Sequence, residues 1–438
     1  MDMKKREYFS FIKRVLLALF VLPLGLFSLS CNQDPIFFNI SVEPEPRTPK
    51  IEGSPQNMVV TTRGIYVWRH GYRGIWFFNA GIGRWENFPR PGGIIGGLAA
   101  VETGDTTQLY AVVQDAIPPT QTEIWRFYDG TWGEARAYPA PNSSSPFLIG
   151  SIYSAGDQLF ARAQRRSNLE AHDILHIVTD NTNGAVTSVT SIKPGNDTIS
   201  LRGAVRRREG NIYLATANAG IFRFENNPLT SPPTVTQTVT PAELDFVVNG
   251  MIETGEDIVV AGNTHDRGRT FVLAGSDRED QSGELPRWHF FTGGMGVWKQ
   301  FNSDSRSWEP ALLLLGIWTL ERRLNNGYRE IDLNPDGSVP SLAFSTPGIP
   351  AGTTEGRVSS VQSRPRYNAS IGTRAVQFIQ QVPPEMLRGD PAVPSDGWQP
   401  PIFASTARDG LWVYNPANDE WNSEDNTRVW RRPMPPQP

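Results

Sequence analysis

The chain has 438 residues, with 41 Lys/Arg against 45 Asp/Glu, 39% hydrophobic residues and a net charge of −4. That mild acidity argues against a dedicated nucleic-acid binder, whose contact surface is basic. With 40 Gly, 36 Pro, 13 Trp and 22 Phe, the composition favours many short strands and turns over helices.

Residues 1–30 read as an address. Lys4, Lys5, Arg6, Lys13 and Arg14 precede an apolar run over 15–29, and Ser30 closes it. Basic residues, then a short apolar stretch, then a small residue describe a secretory signal. The run is too short for a membrane-spanning helix, which takes about 20 apolar residues, and Pro23 and Gly25 interrupt it. Without residues 1–30, 36 basic and 43 acidic side chains remain, a net of −7.

Cys31 is the only cysteine, and it follows Ser28-Leu29-Ser30. This stretch resembles the lipobox of bacterial lipoproteins in a relaxed form, since Ser28 stands where Leu is preferred. The resemblance implies that Cys31 becomes the first mature residue and carries acyl chains such as palmitate. It also implies an envelope location, and Asn32 after the cysteine resembles an outer-membrane sorting preference. Each buried methylene of such a chain contributes roughly 0.8 kcal/mol. The alternative is an incidental thiol beside a cleaved signal.

The segment 36–42, Ile-Phe-Phe-Asn-Ile-Ser-Val, alternates as a strand does and is a candidate to close a sheet with the far end of the chain. The proline-rich stretch 43–55 reads as a semi-rigid tether. From residue 56 to about 430, one unit recurs. An aliphatic–aromatic pair appears as Ile65-Tyr66, Leu109-Tyr110, Leu159-Phe160, Ile212-Tyr213 and Ile402-Phe403, with Ile258-Val259 as a relative without the ring. A shorter strand precedes most of them, as in Gly97-Leu98-Ala99, Gly150-Ser151-Ile152, Arg202-Gly203-Ala204 and Asn249-Gly250-Met251. A third strand follows, beginning at 74, 123, 173, 220 and 269, a step of 47 to 50 residues. Turns, two of them carrying Asp129-Gly130 or Asn415-Pro416, then lead to Trp85, Trp132, Trp308 or Trp421 at the start of the next strand.

Short antiparallel strands repeated every ~48 residues are the signature of propeller blades. A pair of β-sandwiches is the competing fold, but it has no reason to repeat one dipeptide at one offset. The strand–turn–Trp pieces resemble kelch repeats and the propeller repeats of two-component-regulator sensors. That resemblance implies an all-β propeller and assigns no catalytic residues. Units starting near 57, 97, 147, 200, 247, 303 and 357 count seven blades; the long stretches 274–300 and 339–400 leave eight open. A helix has one weak candidate, Val376-Gln377-Phe378-Ile379 beside Pro383-Pro384.

Candidate chemistry is thin. His70, His172, His176, His265 and His289 are scattered, and a metal site needs three or four convergent ligands. No nucleophile elbow or phosphate-cradling loop stands out. Asp332-Leu333-Asn334-Pro335-Asp336-Gly337 starts like a calcium loop, with Asp332, Asn334 and Asp336 as ligands. Position twelve of such a loop would be Ala343, so a hairpin tip after a strand is the stronger reading. Asn302 to Trp308 faintly resembles the Asp-box turn of sialidases. The triplet Arg206-Arg207-Arg208 and the pair Arg165-Arg166 fit caps on solvated strands. Trp68, Trp76, Trp125, Trp298, Trp318 and Trp412 fit packing between blades, whereas Trp288 and Trp398, in the long insertions, are candidates to meet a partner.

The sequence therefore points to a lipid-anchored, extracytoplasmic β-propeller that binds a protein at the envelope, attached to the membrane through Cys31. It has no evident catalytic site or cofactor beyond that lipid. A glycan- or peptidoglycan-processing enzyme would need paired carboxylates in the channel, and a surface adhesin is the third reading.

Overall fold

In the computed structural model the described residues run from Ile51 to Ser423, apart from 139–146, 193–198, 226–232, 276–281, 285–290, 319–326, 341–363, 367–375, 383–399 and shorter loop stretches. Among the described residues, twenty-eight strands form seven four-stranded antiparallel sheets, each made of four consecutive strands. The protein is a seven-bladed β-propeller, and the eight-blade alternative is ruled out. The innermost strands are Pro55–Thr61, Ile94–Thr103, Phe147–Ala155, Leu201–Arg206, Val247–Thr254, Phe291–Asn302 and Val376–Gln381. The helix among the described residues is one turn, Pro241–Leu244, opened by a capping box between Thr240 and Glu243.

The recurring dipeptide holds the blades together. Adjacent residues of a strand point to opposite faces, so each pair in a second strand serves two seams. Leu159 packs towards blade two and Phe160 towards blade four. Ile212 meets Phe160 in that second seam, while Tyr213 turns to blade five. The same division runs through Ile65/Tyr66, Leu109/Tyr110, Ile258/Val259 and Ile402/Phe403. Blade six contributes Leu313/Leu314, a pair without an aromatic ring. Each such side chain is at most 7% exposed, and its burial contributes about 1.5–3 kcal/mol. Seven seams thus draw on one residue type pair, which is why the pair repeats.

Blades six and seven start at 291 and 376, not near 303 and 357. The turn Asn302–Ser307 joins the first two strands of blade six, each twelve residues long. Trp308 therefore opens a second strand, where its ring meets Phe301 at 5.4 Å. Residues 291–300 are consequently part of a blade and not an insertion. The helix candidate at 376–379 is an innermost strand whose Val376, Phe378 and Ile379 are buried. Here glycines take the place of large side chains: a Cβ on Gly293 or Gly296 would lie 2.1–2.2 Å from carbonyl oxygens of Val376 or Ile379.

The ring closes between blades seven and one. Leu411 N donates to Ile51 O (3.2 Å), Gly410 N to Gly53 O (3.0 Å), and the Ser405 hydroxyl to Pro55 O. The seventh sheet has four strands of its own, ending with Glu420–Ser423. The candidate closing strand at 36–42 lies outside the described residues.

The basic triplet is not uniformly solvated. Arg206 and Arg208 are exposed, but Arg207 is 2% exposed. Its Nη2 donates to Leu273 O (2.9 Å) and Ala274 O (2.8 Å), and its guanidinium lies 4.7 Å from the Tyr213 ring centre. It fastens blade four to blade five. Arg207→Met should lower the unfolding free energy by about 2 kcal/mol, since it strands two buried carbonyls. Arg208→Met should change it by less than about 0.5 kcal/mol. Denaturant unfolding of the two variants checks this; equal stabilities would remove the fastening role.

Candidate functional site

The first strand of every blade carries one irregularity near its start. The register with the second strand slips at Gln56, Gly96, Gly150, Arg202, Asn249, Gly293-Gly294 and Gln377. A bulge bends the strand and re-aims its side chain. Seven of them at matching positions make a ring around the mouth of the central channel, on the face where the innermost strands begin. In three blades the residue after the slip is a glycine, Gly97, Gly203 or Gly250. Two of these explain the choice: a Cβ on Gly97 would sit 3.2 Å from Ile152 N, and one on Gly203 3.1 Å from Met251 Cβ. Neighbouring inner strands approach closely there.

The channel holds a cavity of about 1050 Å³ lined by the innermost strands of all seven blades. Met58, Met251, Met295, Leu98 and Phe378 supply apolar lining, with Trp68 beside them. At the seam of blades seven and one the mouth is tied by hydrogen bonds. The Ser54 hydroxyl donates to Gln377 Oε1 (2.6 Å), and Gln56 Nε2 donates to Ser54 O (3.1 Å). In blades two and three, where the bulge residue is Gly96 or Gly150, a side chain from the second strand covers it. Gln114 lies over Gly96 and the Arg162 guanidinium over Gly150, 2.5 and 2.9 Å from where a Cβ would stand.

Among the described residues, three charged ones line the channel: Asp157, Arg202 and Arg206. Asp157 and Arg206 pair at 2.8 Å on the far face, at the blade-three hairpin. Arg202, at the mouth, is half-buried, and its Nε has no hydrogen-bond partner. Burial, and then the neighbouring Arg162 guanidinium, holds its pKa below the usual arginine value. His172 shares this corner. Burial, then Arg162 and Arg202, lowers its pKa, and its buried Nδ1 is also unpartnered.

His176 has a different role. It lies four residues on along the same strand, 2% exposed, 5.3 Å from the Phe160 ring and 4.8 Å from that of Phe224. Its Nε2–H donates to Gln158 Oε1 at 2.7 Å, and burial pushes its pKa down to about 4. It is a neutral core residue of the blade three–four seam.

The calcium-like loop forms a clasp. Asp332 ends the third strand of blade six. Asn334 N donates to Ser338 O (2.9 Å), and Gly337 N to Asn334 O (2.8 Å). Asp336 Oδ1 accepts from Ser338 N (2.9 Å) and Ser338 Oγ (2.6 Å). The turn then docks on blade five, where the Thr254 hydroxyl donates to Gly337 O at 2.6 Å. Buried Asp257 completes the clasp by accepting from Gly275 N (3.0 Å) and Val339 N (2.7 Å). Among the described residues, no three His, Cys, Asp or Glu side chains gather in a way that could hold a metal ion. None of the helices among them is long and apolar enough to cross a membrane.

Of the other candidates, Trp68 and Trp76 are buried between blades, and Trp298 meets Tyr414 at 6.1 Å. Cys31, Trp288, Trp398, His70 and His289 lie outside the described residues. The mouth residues Gln56, Arg202, Asn249 and Gln377 had no standing as site candidates in the sequence. Their types differ, so the repeat does not mark them; the glycines that follow three of the bulges in the same pattern were the available signal.

No protein-family profile matches the chain, and no curated protein matches it. Among solved structures it is similar to several β-propellers. One is the extracellular domain of a hybrid two-component system from B. thetaiotaomicron, at 12% identity and TM-score 0.44; the alignment covers 83% of this chain and 38% of that one. A chain of the mitotic checkpoint complex matches at 10% identity and TM-score 0.47, over 84% and 96%. Virginiamycin B lyase from Staphylococcus aureus matches at 12% identity and TM-score 0.48, over 83% and 96%. The chain thus spans well under half of the first of these and nearly all of the other two.

Proposed function

We propose that this chain is a binding protein: a propeller held to the bacterial envelope by acyl chains on Cys31, which takes a protein partner at the channel mouth. The observation that carries this reading is the bulge ring. It turns unlike polar side chains of Gln56, Arg202, Asn249 and Gln377 towards one cavity with methionine walls. Methionine-rich, adaptable lining suits peptide segments. A glycan-processing role has less support, because Asp157 is the one carboxylate among the lining residues and Arg206 neutralises it.

A photo-crosslinking residue placed at Asn249, at the mouth, tests this in living cells. One discrete adduct with an envelope protein, and none from the same probe at exposed Leu169, is the expected result. Protease access on intact cells would separate a periplasmic from a surface setting. Surface access without any envelope adduct would sink the scaffold reading.

A further inference from the structure

We propose that the blade three–blade four corner of the channel mouth is a carboxylate site, and that the partner segment it takes is acidic. This rests on the binding role argued above and names the chemistry of the occupant.

The charge pattern points there. Of the three charged side chains that line the channel among the described residues, Asp157 and Arg206 neutralise each other at 2.8 Å, which leaves Arg202 without an opposite charge among them. Its bulge position aims it at the mouth. A second guanidinium, Arg162, lies against the backbone of Gly150 in the adjoining innermost strand. His172 completes the corner, on the strand next to that of Arg162.

Two buried nitrogens in this corner, Arg202 Nε and His172 Nδ1, have no hydrogen-bond partner. Buried polar atoms left in this way call for an unseen partner. Like charges gathered without a counterion call for an anion, and a planar guanidinium suits a carboxylate. The other polar neighbours are the Tyr153 phenol and Gln164, which faces His172 across the strand pair. Asp173, next in sequence to His172, is engaged elsewhere, by Arg165 at 3.0 Å and Ser191 at 3.0 Å. The methionine walls decide between a free anion and a chain: a small inorganic ion would use the arginine corner alone, whereas a peptide with one acidic side chain would use both.

Selection from a random heptapeptide display library on the full chain in detergent micelles tests the proposal, with the His172 imidazole resonance reporting occupancy of the corner. Selected peptides should carry Asp or Glu at one fixed position. They should bind roughly tenfold or more weakly to Arg202→Gln, and weaken equally when that acid is changed to its amide. Arg202→Lys, which keeps the charge, should retain part of the affinity and guards against a folding artefact. Peptides that bind in the channel without acidic preference, or equally to Arg202→Gln, overturn the carboxylate site and leave the protein-binding role standing. If no peptide binds and inorganic phosphate alone moves the His172 resonance, both readings fall to a small-anion site.

Discussion

Phe403→Ala should lower the stability of the propeller by about 4 kcal/mol, the largest single-residue loss expected in this chain. The side chain is fully buried, with its ring 5.9 Å from Phe78 and 5.4 Å from Trp85 in edge-on arrangements. Such a truncation removes the transfer energy of the ring and leaves a cavity that fixed neighbours cannot fill. Its position adds to the effect. The seam between blades seven and one joins the two ends of the ring, and its other cross-links include backbone hydrogen bonds from Leu411 and Gly410 to Ile51 and Gly53. Guanidinium unfolding followed by tryptophan emission is a direct readout, because Trp85 lies in the same cluster. A loss below about 1 kcal/mol would show that the seam collapses around the cavity and that closure does not depend on the ring.

Acid should weaken the fold through His176. Its pKa is about 4 in the folded chain against 6.5 for a free imidazole. The unfolded chain therefore takes up a proton that the folded chain refuses. Stability is unaffected by this group above about pH 6.5, falls as pH drops from there towards 4, and levels off below. The slope approaches roughly 1.4 kcal/mol per pH unit, for a total of about 3 kcal/mol. The cause is structural, since the ring is buried between Phe160 and Phe224 and its one resolved hydrogen bond, to Gln158, is satisfied by the neutral form. His176→Gln should remove this component. Unfolding free energies of both proteins at pH 7 and pH 4.5 isolate it, because carboxylate titrations are common to both. Equal losses in the two proteins would exclude His176 as the source.

The fold was legible in the sequence because packing demands repetition. Each seam needs a residue from each of two second strands, so Leu159-Phe160 and Ile212-Tyr213 had to look alike. Blade six escaped for the same reason, since Leu313-Leu314 fills the position without an aromatic ring and its twelve-residue strands exceed the usual step. Its Asn302–Trp308 turn has the letters of a third-to-fourth-strand turn but joins the first and second strands. The turn at 334–338 shares its Asn, Asp and Gly residues with calcium loops, so the letters alone do not separate the two. Arg207 was hidden within a basic triplet: the strand ends at Arg206, and the residue just past it turns inward while Arg206 and Arg208 stay exposed. The mouth could not be read, since a register slip is a relation between two strands and leaves no fixed letter behind.

The bulge ring has a consequence for stoichiometry. Seven near-equivalent blades could offer seven equivalent docking settings around one axis, and a ligand on that axis would then spin among them. The mouth presents Gln56, glycine, glycine, Arg202, Asn249, glycine and Gln377 in turn, so no rotation maps it onto itself. If the proposed binding role holds, this sevenfold pseudosymmetric ring would accept its occupant in a single azimuth, one molecule to each chain.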